Sequence, residues 1–119
     1  MNEALFAEPT ASQPLPHSIE AEQAVLGGLM LKNDAFDGAA EVLSESDFYS
    51  RDHQLIFAAM QALAADEQPF DPITLSESLQ NTEQLATIGG AEYLVELAQN
   101  TPSSANIPAY TQIVLERSI

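Results

Sequence analysis

Apolar residues in this chain return every three or four positions, in short runs broken by Pro, Gly or Asn, and that spacing points to α-helix throughout. One face each is formed by Ile19, Leu26, Leu29 and Met30, by Phe36, Ala39, Ala40 and Leu43, and by Ile56, Ala59, Met60 and Leu63. Later come Ala91, Leu94, Val95 and Ala98, then Tyr110, Ile113 and Val114. Strand-type runs of β-branched and aromatic residues are absent, and the apolar fraction of 45% is ordinary for a folded domain. The pattern predicts one compact all-α bundle of about six helices.

Local signals place the ends of the elements. Ser18 is the expected N-cap of the first helix, with Glu20 and Glu22 in the first turn, where negative charge suits the helix dipole. Gly27-Gly28 lies inside that helix, where each glycine costs about 1 kcal/mol against alanine, so close approach by another helix is expected there. Phe48-Tyr49 reads as an apolar plug, and a third helix follows from Arg51 to Ala65. Thr74-Leu75-Ser76-Glu77 matches a capping box for a short fourth helix ending near Asn81. Gly89-Gly90 reads as a turn and Asn100–Ser104 as a stop, after which Asn106 is expected to cap the last helix. That helix is still in progress at Ile119, so the chain is expected to be a piece of a longer protein. Residues 1–16, with Pro9, Pro14 and Pro16, read as a flexible tail, and residues 17–119 as the helical domain.

Charge excludes one class of function. Eighteen acidic residues face only Lys32, Arg51 and Arg117, for a formal charge of −15. Nucleic-acid affinity comes largely from cations that neutralise phosphates, so direct DNA or RNA binding by this segment is not expected. The field does suit a basic protein partner. Cysteine is absent, which removes thiolate chemistry, and no apolar run approaches the roughly 20 residues of a membrane span. With no secretory leader either, a cytoplasmic location is expected.

The inventory for catalysis is thin. His17 and His53 are 36 positions apart without metal-ligand spacing, and polar surface or capping roles are expected for both. Paired carboxylates such as Glu20/Glu22 and Asp66/Glu67 arise readily in so acidic a chain. No G-x-x-x-x-G-K-[ST] motif occurs, so the segment cannot hydrolyse a nucleoside triphosphate by the P-loop mechanism. No cofactor or metal is expected in it.

Six segments, in order, carry a resemblance. They are Pro16–Gly27 (PHSIEAEQAVLG), Asp47-Phe48-Tyr49, His53 with Ile56-Phe57, Thr74-Leu75, Ile88-Gly89-Gly90 with Tyr93-Leu94, and Asn100-Thr101-Pro102 before Ala105-Asn106. Together they make the chain similar to the N-terminal domain of DnaB-type replicative DNA helicases. The resemblance implies a non-catalytic collar domain of a hexameric, ATP- and Mg-dependent enzyme that unwinds DNA at the bacterial replication fork. It implies primase, further copies of the same chain, and possible loader or phage-encoded proteins as partners, and it makes the last helix the start of a helical hairpin. Glu20, Tyr93, Tyr110 and Arg117 are the candidate partner-binding residues, being polar or amphipathic on helices whose other face is committed to the core. The competing readings are a stand-alone acidic adaptor or inhibitor and a small helical enzyme.

Overall fold

A computed structural model describes residues 16–118, with side chains from Ile19 onward. Six α-helices are present: α1 Pro16–Leu31, α2 Phe36–Val42, α3 Arg51–Ala65, α4 Pro72–Asn81, α5 Gly90–Gln99 and α6 Ile107–Arg117. Short 3-10 turns at Asn33–Ala35, Glu45–Asp47 and Ser104–Asn106 lead between them, and no strand occurs among the described residues. The all-α bundle read from the sequence is therefore the fold. The expected tail lies outside the described residues except for Pro16.

α1 is the axis of the bundle. Every residue from Ala24 to Met30 is buried. Such a run spans nearly two turns, so no face of the helix is left to solvent there. The helices that cover it are α3, α5 and α6. Close approach is what the glycine pair provides. A Cβ at Gly27 would overlap Thr101 Oγ1 and the Leu97 carbonyl, and one at Gly28 would stand 2.9 Å from the Ile107 side chain. The end of α5 and the start of α6 thus rest directly on the α1 backbone. At the other end of the core, Phe36, Phe48, Phe57 and Phe70 form a chain of rings with centroids 5.0 to 5.5 Å apart. Edge-to-face and offset contacts of this kind add to the burial energy.

Asn33 locks the loop before α4 onto the end of α1. Its Nδ2 donates to the carbonyls of Leu29 (2.8 Å) and Phe70 (3.0 Å), while its Oδ1 accepts from the Phe70 amide at 2.9 Å. A single amide side chain therefore satisfies both backbone groups of Phe70.

Several local expectations need correction. α1 begins at Pro16, so Ser18 lies within its first turn instead of capping it, and neither Glu20 nor Glu22 is in that turn. The box opening α4 sits one turn earlier than Thr74–Glu77. Asp71 is the N-cap, Pro72 follows it at N1, and the Asp71 carboxylate accepts from the Ile73 and Thr74 amides at 2.8 Å each. Thr74 Oγ1 returns the favour by accepting from the Asp71 amide at 2.9 Å. The carboxylate wins because a charged acceptor at a helix N-terminus outbids a hydroxyl. Phe48 is the plug alone, since Tyr49 is 66% exposed. On α5 the buried residues are Leu94 and Leu97, leaving Ala91 and Val95 in contact with solvent. Asn106 occupies the N-cap position of α6 without a side-chain cap, and its amide instead reaches the Tyr110 hydroxyl at 3.4 Å.

Candidate functional site

The largest departure from the sequence reading is a buried polar chain that crosses the bundle. Glu22 of α1 is 2% exposed, and so is His53 of α3. Neither the dipole role expected of Glu22 nor the surface or capping role expected of His53 survives this. Both positions lie on apolar stripes. Glu22 precedes Val25, Leu26 and Leu29 at helical spacing, and His53 precedes Ile56, Phe57 and Met60. That spacing was the available signal, masked by the polar identity of the two residues.

The Glu22 carboxylate is saturated by N–H donors. Oε2 accepts from the Tyr49 amide at 2.6 Å, and Oε1 accepts from the Ser50 amide at 3.4 Å. Oε1 also lies 2.7 Å from His53 Nδ1. The Ser50 hydroxyl oxygen caps α3 by accepting from the His53 amide, and this sets the histidine at the helix start facing α1. On the other side of the ring, His53 Nε2 lies 2.6 Å from the Tyr93 hydroxyl of α5. Gln23 Nε2 donates to that same hydroxyl at 3.2 Å. The chain Glu22–His53–Tyr93 therefore ties together α1, α3 and α5, and it runs from the buried interior to a half-buried phenol. A buried charge is tolerable only when paired and hydrogen-bonded, and each of these groups is. Burial holds the Tyr93 phenol above its ordinary pKa of 10.0. The Gln23 hydrogen bond opposes that rise, and the nearby negative charges of Asp52, Glu96 and Glu22 reinforce it.

Tyr93 opens into a cleft of about 340 Å³ between α1 and α5, lined by Glu20, Gln23, Ala24, Glu96, Leu97, Asn100 and Pro102 besides Tyr93 itself. Two of the residues expected to bind partners, Glu20 and Tyr93, thus come together on one surface. The other two do not line it. Tyr110 is half-buried on α6 and packs against the core. Arg117 is exposed in the last turn of α6, where positive charge suits the helix dipole. Gln23 and Glu96 are cleft residues that the sequence reading missed. Among the described residues, no group of three or more His, Asp or Glu side chains is placed to hold a metal ion. No described helix is long and apolar enough to cross a membrane.

Comparison with known proteins matches nearly the whole of the described chain to one family. The profile described as DnaB-like helicase N terminal domain matches residues 14–116. The chain is 53% identical over 105 residues to the replicative DNA helicase DnaB of Buchnera aphidicola subsp. Baizongia pistaciae, covering 88% of this chain and 23% of that protein. It is 49% identical over 104 residues to DnaB of Haemophilus influenzae, covering 87% of this chain and 22% of the relative. The chain thus spans less than a quarter of the length of these relatives. Among solved structures, it is similar to the N-terminal domain of DnaB helicase from Mycobacterium tuberculosis, with a TM-score of 0.82 and 37% identity over 88% of this chain and 75% of the other. It is also similar to the N-terminal domain of DnaB helicase from Helicobacter pylori, described together with its interactions with primase. There the TM-score is 0.76 and the identity 25%, over 99% of this chain and 85% of the other. These matches favour a helicase domain over a stand-alone acidic adaptor.

Proposed function

The chain belongs to the family of DnaB-like helicase N-terminal domains, and on that premise we propose that it is the assembly and docking domain of a replicative helicase. The whole protein is then a hexamer that unwinds DNA at the bacterial replication fork, in the cytoplasm, with ATP hydrolysed in the presence of Mg by a motor carried on other residues. The domain itself is not an enzyme. It carries no P-loop motif, and its charge of −15 suits contact with basic proteins instead of DNA. Its partners are primase, further copies of the same chain in the ring and, at the loading stage, a helicase loader or a phage-encoded protein.

The observation that carries this reading is the α1–α5 cleft, where Glu20 and Tyr93 share one concave, acidic surface beside the buried Glu22–His53 pair. A rigid support behind a half-buried aromatic at a cleft is the usual make-up of an interface anchor. Tyr110 and Arg117 on α6 are proposed as a second contact region. The test is calorimetric titration of the C-terminal domain of the same bacterium's primase into the folded chain. Tyr93→Ala and Glu20→Lys are expected to weaken binding by about tenfold or more, the effect of losing one good anchor. Unchanged affinity in these variants and in Arg117→Ala, with the fold intact, would remove the site assignment.

A further inference from the structure

The hydrogen-bond polarity of the Glu22–His53–Tyr93 chain decides what the cleft can bind. An ionised carboxylate has no hydrogen to give, so at the 2.7 Å contact His53 Nδ1 is the donor and Glu22 Oε1 the acceptor. In the Nδ1–H tautomer, Nε2 is left as an acceptor, and the donor 2.6 Å from it is the Tyr93 hydroxyl. In that tautomer the hydroxyl hydrogen is spent inward. Its oxygen already takes one hydrogen from Gln23 and keeps one acceptor position. With His53 in that tautomer, Tyr93 accepts from a ligand and does not donate to it.

The rest of the lining agrees with that polarity. Glu20 and Glu96 add two carboxylates, and among the described residues no Lys, Arg or His lines the cleft. Gln23 and Asn100 are amides able to turn either end to a ligand. Ala24, Leu97 and Pro102 supply an apolar wall. Acceptors around an aromatic ring, beside an apolar wall, match a flat cation on a methylene stem.

We propose that the cleft is a receptor for the guanidinium of an arginine presented by a partner protein, with Glu22 and His53 as positioning residues that hold Tyr93 as an acceptor. This rests on the docking reading above. Arginine is preferred to lysine because its five donors are fixed in one plane and can meet Tyr93, Glu20 and Glu96 together. Its weaker hydration and its stacking on aromatic faces favour it as well. The stem covers Ala24, Leu97 and Pro102 while the head meets the oxygens.

The test uses the whole 119-residue chain, isotope-labelled, with N-acetyl-arginine amide as probe and its neutral isostere N-acetyl-citrulline amide as control. Saturable NMR shifts are expected at Gln23, Tyr93, Glu96 and Asn100, with citrulline about tenfold weaker or more, the worth of one charge-assisted hydrogen bond. Glu96→Gln, at an exposed position, is expected to weaken arginine binding and leave the fold unchanged. The positioning role has its own readout in the ring-nitrogen spectrum of His53, which should show the Nδ1–H tautomer at neutral pH. Equal binding of arginine and citrulline, or shifts spread evenly over the acidic surface, would overturn the receptor. An imidazolium donating from both ring nitrogens would turn the Tyr93 hydrogen outward and overturn the positioning. None of these measurements uses primase, so their failure leaves the docking test standing, and the reverse also holds.

Discussion

Glu22 and His53 are 31 positions apart in the chain, yet Glu22 Oε1 and His53 Nδ1 lie 2.7 Å apart in a site almost closed to solvent. The carboxylate also holds the Tyr49 and Ser50 amides, so one side chain fixes the entry to α3 and the ring orientation of His53. Glu22→Ala removes the acceptor of all these donors and leaves the buried His53 Nδ1 without its partner. Leaving a buried donor without its acceptor costs about 1–3 kcal/mol. Chemical denaturation of the variant is expected to show a loss of that size, with Glu22→Gln losing less because its carbonyl can still accept. A loss below about 1 kcal/mol, the level of an exposed ion pair, would mean that the network adds nothing to the fold.

Alkaline pH should weaken the domain through Tyr93. Its pKa is raised above 10.0 by burial, against the Gln23 hydrogen bond and with help from Asp52, Glu96 and Glu22. A phenol whose folded pKa exceeds its unfolded one gives its full stabilisation below the unfolded value. That stabilisation drains away as pH rises through the folded value. The tyrosinate absorbance of the native chain, less that of Tyr93→Phe, is expected to rise only above pH 10, and the stability difference between the two chains should shrink over the same range. A Tyr93 difference spectrum that titrates below pH 10 would contradict the burial of the hydroxyl.

The same substitution at two glycines should have opposite signs. Gly27→Ala drives a methyl group into Thr101 and the Leu97 carbonyl, so α5 must move off α1. Overpacking of this kind costs about 1–3 kcal/mol and outweighs the gain in helix propensity. Gly38 of α2 has nothing within 4 Å of its missing Cβ, and Gly38→Ala is expected to gain up to about 1 kcal/mol. Thermal melts of the two variants decide the matter, and a Gly27→Ala chain as stable as the parent would refute the close approach.

Capping offers a direct comparison of two residues. Asp71→Ala should cost about 1 kcal/mol, the usual worth of an N-cap, because its carboxylate holds the Ile73 and Thr74 amides. Thr74→Ala should cost less, since its neutral hydroxyl bonds only Asp71 itself, accepting from the amide and donating to the carbonyl at 3.2 Å, and serves no other amide of the helix. Urea denaturation that ranks Thr74 above Asp71 would restore the cap read from the sequence.

Periodicity made the helices legible, and α3 runs from Arg51 to Ala65 as the spacing of Ile56, Ala59, Met60 and Leu63 required. The glycine pair was legible as well, because two helix-weakening residues in an apolar run need a tertiary reason. The polar chain was not legible. Glu22 and His53 sit at core positions of their stripes, but a carboxylate and an imidazole are ordinarily exposed, and nothing local says that residues 31 positions apart will hydrogen-bond to each other. Asp71 was overlooked for a different reason. A Thr-x-x-Glu pattern one turn later competed for the same helix start, and only the backbone shows which begins it. Val95 and Ala91 were misplaced because α5 is short, so a small rotation of the helix exchanges its neighbouring faces.

The most direct measurement is an NMR titration of the isotope-labelled chain with the C-terminal domain of the primase from the same bacterium. The account predicts shifts concentrated on Glu20, Gln23, Tyr93, Glu96 and Asn100, with the His53 ring signals moving in step. A folded spectrum that does not change, or changes only away from the α1–α5 cleft, would contradict the claim that this cleft is where a partner docks.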